Sequence, residues 1–138
     1  MANEFARNIQ DASLNPVALA LPGAASTTVT GAAVNLGTDT FKPENVEINV
    51  YVPALSDTIL PSTRTMTVIV ETSTTSVFTA VAREIHRKVL TGAGAGWVAT
   101  NHRCRLPSDC EQYIRLKITP GASTTDASAV SAELKLLT

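Results

Sequence analysis

From Tyr113 to Thr119 the chain alternates without a break, with Ile114, Leu116 and Ile118 on one side and Tyr113, Arg115, Lys117 and Thr119 on the other. A period of two sends successive side chains to opposite faces, so the stretch predicts a half-buried β-strand. Pro120-Gly121 ends it, and a Gly/Ser/Thr/Ala linker follows. The alternation then returns: Val130, Ala132, Leu134 and Leu136 share one side, with Ser131, Glu133 and Lys135 on the other. A terminus that lies in a paired strand is tied down, so the last residues are expected to close the fold.

The same period recurs upstream. In Val46–Val52, Val46, Ile48, Val50 and Val52 oppose Glu47, Asn49 and Tyr51, and Pro53 stops the run. Thr65–Glu71 repeats it with Met66, Val68 and Val70. Ser76–Ala82 is expected to continue as a strand after the polar break at 73–76. Residues 81–90 fit either a helical face (Ala82, Ile85, Val89) or a strand, and their neighbours favour a strand or a strand with a bulge. Gly92, Gly94 and Gly96 predict a flexible hairpin loop before a strand over Trp97–Arg105, with a turn at LPSDC. Val17–Leu21 is a short apolar run, and one or two short strands lie in the segment 25–37. About eight strands at this spacing define the fold class: all-β, an antiparallel β-sandwich, jelly-roll-like. Residues 1–16, with Phe5 and Ile9 at helical spacing, read as a short N-terminal arm, leaving 17–138 as a single domain.

Composition narrows the core. The 138 residues suffice for one core, and with aromatics at 4% it is expected to be built from Val, Ile, Leu and Ala. Net charge is −1, so no global field steers the chain to nucleic acid or an anionic membrane. No apolar run approaches the roughly 18 residues that cross a bilayer. The N-terminus has no basic region followed by an apolar run, so a soluble chain made in the cytoplasm is expected.

Few residues suggest chemistry. GAGAG lacks the third glycine of a dinucleotide fingerprint and the Gly-Lys-Ser/Thr of a phosphate loop, and a strand follows it. His102, Cys104, Cys110 and His86 offer ligand types for zinc, but no Cys-x-x-Cys pair supports a knuckle. Cys104 and Cys110 could bridge across a turn, although reduced thiols are expected in the cytoplasm. Cys104 lies between Arg103 and Arg105, yet on a strand those guanidinium groups point to the opposite face, which argues against an activated thiolate. The carboxylates form no tight motif. No catalytic, cofactor or metal residue is therefore expected, and the chain reads as a non-enzyme. The densest basic run, Arg83–Lys88, could join Arg103, Arg105 and Arg115 in one positive surface. With few aromatics to stack on bases, a protein contact is favoured over nucleic acid.

Taken together, ASTTVTGAAVNLG (25–37), VEINVYVPAL (46–55), TMTVIVETS (65–73) and CEQYIRLKITPGASTTDASAVSAEL (110–134) resemble, in order and composition, the capsid cement (decoration) proteins of tailed bacteriophages, of the small jelly-roll type seen in Bordetella-type podophages. The resemblance spans most of 11–138; residues 1–10 and 83–97 carry none of it. It implies a structural virion protein, made in the host cytoplasm, that forms homo-oligomers (dimer or trimer) on the capsid's outer surface. There it would bridge neighbouring major capsid protein subunits, with no cofactor, nucleic acid or membrane partner. Phe5 and Ile9 of the arm, and Arg83, Arg87 and Lys88, are the expected capsid or subunit contacts. The alternative is a carbohydrate- or ligand-binding β-sandwich of a tail or adhesion apparatus, which would use Trp97, Tyr51 and Tyr113 to stack on sugars.

Overall fold

The computed structural model describes residues 17–36, 47–79, 82–121 and 125–137. Nine strands run β1 (Val17–Ala20), β2 (Val29–Thr30), β3 (Val34–Asn35), β4 (Glu47–Val52), β5 (Thr65–Ser73), β6 (Arg83–Thr91), β7 (Thr100–Arg105), β8 (Tyr113–Pro120) and β9 (Ser131–Leu137), with no helix among the described residues. They form two antiparallel sheets packed face to face. One has the order β1-β9-β4-β7; the other has the order β2-β8-β5-β6, with β3 also pairing β8. The N-terminal arm and its Phe5 and Ile9 lie outside the described residues.

The alternation in the sequence is what separates the layers. In β8 every second residue is buried, from Ile114 through Leu116 and Ile118 to Pro120. Ile48, Val50 and Val52 of β4, Met66, Val68 and Val70 of β5, and Ala132, Leu134 and Leu136 of β9 complete the facing surfaces. Each fully buried Leu, Ile, Val or Met side chain contributes about 1.5–3 kcal/mol relative to exposure. Leu21, Leu36, Leu55, Leu60 and Leu106, from the connections, close the ends of the same cluster. The core is aliphatic, as the scarcity of aromatics requires. The C-terminal strand sits inside its sheet, with Leu134 opposite both Val17 and Val50.

The ambiguous stretch before Thr91 is strand β6, and it carries the bulge. Val70 faces His86 but Glu71 faces Glu84, so Ile85 is the extra residue. Two expected strands are shorter than their pattern. Ser76–Thr79 is not strand: the chain turns at Thr75–Phe78, with Phe78 N–H donating to the Thr75 carbonyl at 3.3 Å. Phe78 takes a φ of 52° there, and its ring lies over the Arg115 guanidinium of β8. Likewise β7 begins at Thr100, because Trp97 is engaged in an isolated bridge to Leu55.

The glycine run also departs from expectation. It is pinned at both ends rather than loose. A Cβ on Gly92 would collide with the Leu60 and Pro61 carbonyls, and one on Gly96 with the Leu55 carbonyl. Gly96 has a φ of +83°, where only glycine is unstrained. Reciprocal hydrogen bonds join Ala93 and Gly96 at 3.1 and 2.8 Å, and Gly94 alone stands in open space.

Candidate functional site

The basic run of β6 is divided by the strand that carries it. Arg83 is exposed and donates to the Asp109 carboxylate at 3.0 Å and to the Asp109 carbonyl at 2.6 Å. Arg87 also points outward, but the bulge at Ile85 carries Glu84 onto the same face, although residues three apart on a regular strand face opposite ways. Their side chains form a two-pronged pair at 2.5 and 2.8 Å. Arg87 holds the Glu84 carboxyl below its ordinary value, and Glu84 raises Arg87 in turn. Lys88 takes the opposite course, at a half-buried position paired with Val68 on the core side.

The other arginines lie on different surfaces. Arg103 and Arg105 project from β7 on the second sheet, where Glu47 meets them at 3.0 and 3.7 Å. Arg115 lies on the outer face of β8, where it meets the almost fully buried Glu71 at 2.5 Å. Lys117 adds a longer contact to Glu71 at 3.8 Å, and the Phe78 ring covers the Arg115 guanidinium at 4.2 Å. The six cations therefore do not make one positive surface. The described faces carry neutralised pairs, and the Glu71–Arg115–Phe78 cluster is the most enclosed of them. Sequence reasoning could place Glu71 and Arg115 on outward positions of their strands. It had no signal that they pair across 44 residues or that Phe78 turns back over them.

Beside β6 is a cleft of about 450 Å3, lined by Thr72, Ser73, Thr74, Arg83, Glu84 and Glu111 among others. Thr72 organises its wall: its hydroxyl donates to the Tyr113 carbonyl and accepts from the Glu111 N–H, both at 2.9 Å. The cleft thus presents hydroxyls and both signs of charge, a rim suited to a polar protein segment rather than to an anion or a cation alone.

The thiols are separate and free. Cys104 faces the core side of β7, opposite to Arg103 and Arg105, and burial together with Glu47 raises its pKa. Burial raises Cys110 also, partly offset by its contact with the Thr72 hydroxyl. A thiol held above its ordinary value has little thiolate at neutral pH. Among the described residues no group of three or more His, Cys, Asp or Glu could hold a metal ion. The three aromatic candidates for sugar stacking do not converge. Tyr51 and Tyr113 lie at outward positions on opposite sheets, while the Trp97 indole is half-buried and donates to Thr100 at 3.2 Å. No helix among the described residues is long and apolar enough to cross a membrane. No protein-family model matches the chain, and no curated protein matches it.

Proposed function

We propose that this chain is a structural virion protein, a cement or decoration protein that binds the outer surface of a phage capsid and bridges major capsid protein subunits. The observation that carries the reading is the strand order. With β2 and β3 counted as one interrupted strand, eight strands pair first with eighth, second with seventh, third with sixth and fourth with fifth. A long antiparallel ribbon folded over on itself pairs in this way, and we read the fold as a jelly roll, an architecture of viral capsid and lectin domains. The segment resemblance and the internally neutralised faces support a scaffold that holds neighbours together. Many weak contacts on a symmetric lattice sum through multivalency.

The contact surface we assign is the outer side of β6 with its cleft, where Arg83 and Arg87 are the exposed cations, together with Phe5 and Ile9 of the arm. Mass spectrometry of purified virions from the encoding phage, counting this chain against the major capsid protein, tests the function. A near-stoichiometric ratio is expected. A few copies per particle would replace it with the tail or adhesion reading, and absence would remove both. Deleting residues 1–10, or reversing charge at Arg83 and Arg87, is expected to lower occupancy on the particle with the melting temperature nearly unchanged. Full occupancy in either variant would remove that contact.

A further inference from the structure

β6 closes one sheet and β7 the other, and the two edges lie near enough for the charge of His86 on β6 to act on His102 of β7. At these two edge strands the core-facing positions change character. On the neighbouring strands they are Val68 and Val70 of β5 and Ile48, Val50 and Val52 of β4; on the edges the partners of those residues are Lys88 and His86, and Cys104, His102 and Thr100. All five are half-buried. The His86 Nε2 is fully buried without a hydrogen-bond partner among the described residues. His102 Nε2 lies 3.3 Å from the Thr100 hydroxyl, which already receives the Trp97 indole N–H at 3.2 Å. The hydroxyl keeps its own proton and a second lone pair, so it donates to His102 Nε2 or accepts from it according to the ring's tautomer.

We propose that this seam is an acid-sensitive latch: protonation of His86 and His102 releases the edge strand β7 while the rest of the sandwich stays paired. The groups facing the imidazoles make protonation unfavourable in the closed form. Their register partners, Val70 on β5 for His86 and Val50 on β4 for His102, are aliphatic; the charged neighbour of both is Lys88 of β6, and Thr100 and Cys104 flank His102 on the same face of β7. The nearby carboxylates lie on outer faces and are engaged elsewhere, Glu47 with Arg103 and Arg105, Glu84 with Arg87, and Glu71 with Arg115. Burial first, and then Lys88, hold His86 below its ordinary 6.5. Burial, Lys88 and His86, in that order, do the same for His102.

The sign follows by linkage. The open form binds protons near the ordinary histidine value and the closed form resists them, so closure is fully favoured above that value and weakens as pH falls through the depressed one. The cheaper strand to release is β7, with six residues paired to β4 alone, whereas β6 has eight register pairs to β5.

Amide hydrogen exchange by NMR on the full chain, expressed as protection factors at about pH 7.5 and about pH 5, tests the latch. Expected is a loss of about tenfold or more over Thr100–Arg105 at the lower pH, with β8 and β9 retained. The His86→Gln/His102→Gln variant should keep β7 protected at both pH values. Lys88→Gln, at a half-exposed site that should tolerate it, should show a smaller loss because the imidazoles lose their repelling neighbour. Protection of β7 that persists at low pH, an equal loss in every strand, or an unchanged loss in Lys88→Gln would each overturn the proposal.

Discussion

Gly92 and Gly96 stand where the β6–β7 connection presses on another stretch of backbone, and Gly94 between them touches nothing. The three positions make a controlled comparison. Gly96→Ala adds a left-handed penalty to a backbone collision and is expected to cost roughly 2–4 kcal/mol. Gly94→Ala meets no neighbour and has no positive φ, so the reduced freedom of the unfolded chain should leave it neutral or stabilised by up to about 1 kcal/mol. Chemical denaturation midpoints check both, and equal midpoints would dismiss the seating argument. Glu71 offers a second comparison at this scale. Its side chain is 7% exposed, against 20% for Arg115. Glu71→Leu strands a largely buried guanidinium beneath Phe78 and is expected to cost about 3 kcal/mol or more, as breaking one side of a buried pair does. The doubly apolar Glu71→Leu/Arg115→Met should recover much of that loss. The same denaturation series reads the recovery, and no recovery would mean that the pair itself carries the stability.

Strands whose two faces see different media were legible in advance. β4, β8 and β9 follow the alternation residue by residue, because one side of each packs on the core and the other meets solvent. Where the outer face is also covered, the pattern blurs: in β5 Ile69 and Glu71 are buried too, though they alternate with the inward Val68 and Val70. The Ser76–Ala82 reading failed at Phe78, because a backward turn that buries a ring is chosen by distant partners and leaves no local period. The bulge in β6 was readable as a conflict between periods, but its consequence, Glu84 beside Arg87, needed the register. The grouping of the cations into one surface failed for the same reason, since a run of cations says nothing about which carboxylates lie across the sheet. β9 provides the prediction at this scale. It is an interior strand, so truncation after Val130 removes Ala132, Leu134 and Leu136 from the core and leaves β1 without a partner. Cooperative thermal unfolding, followed by far-UV circular dichroism, is expected to disappear; a sharp melt in the truncated chain would contradict the topology.

At the scale of the whole molecule, the pairings are strongly non-local. Val17 meets Leu134 and Val29 meets Ile118, so the sheets form only after long loops have closed. Loop closure precedes the reward of contact, and all-β chains of this kind refold in roughly milliseconds to seconds. Stopped-flow refolding into that window is expected, and a microsecond phase carrying the full amplitude would contradict it.

The pairing of Val17 with Leu134 also decides where the described chain enters and leaves the sandwich. Antiparallel register sets the end of β9 beside Glu47, which pairs with Arg105, and directs the start of β1 toward that rim from three residues short of it. The connection that carries Gly94 leads into β7 at the other rim, where Thr100 meets Val52. Cargo joined directly at Val17 or Leu137 would leave toward a single rim, and a display peptide inserted at Gly94 would sit at the opposite one. The sandwich thus has two addressable rims, so a fusion at one and an insertion at the other would report which rim faces a bound partner.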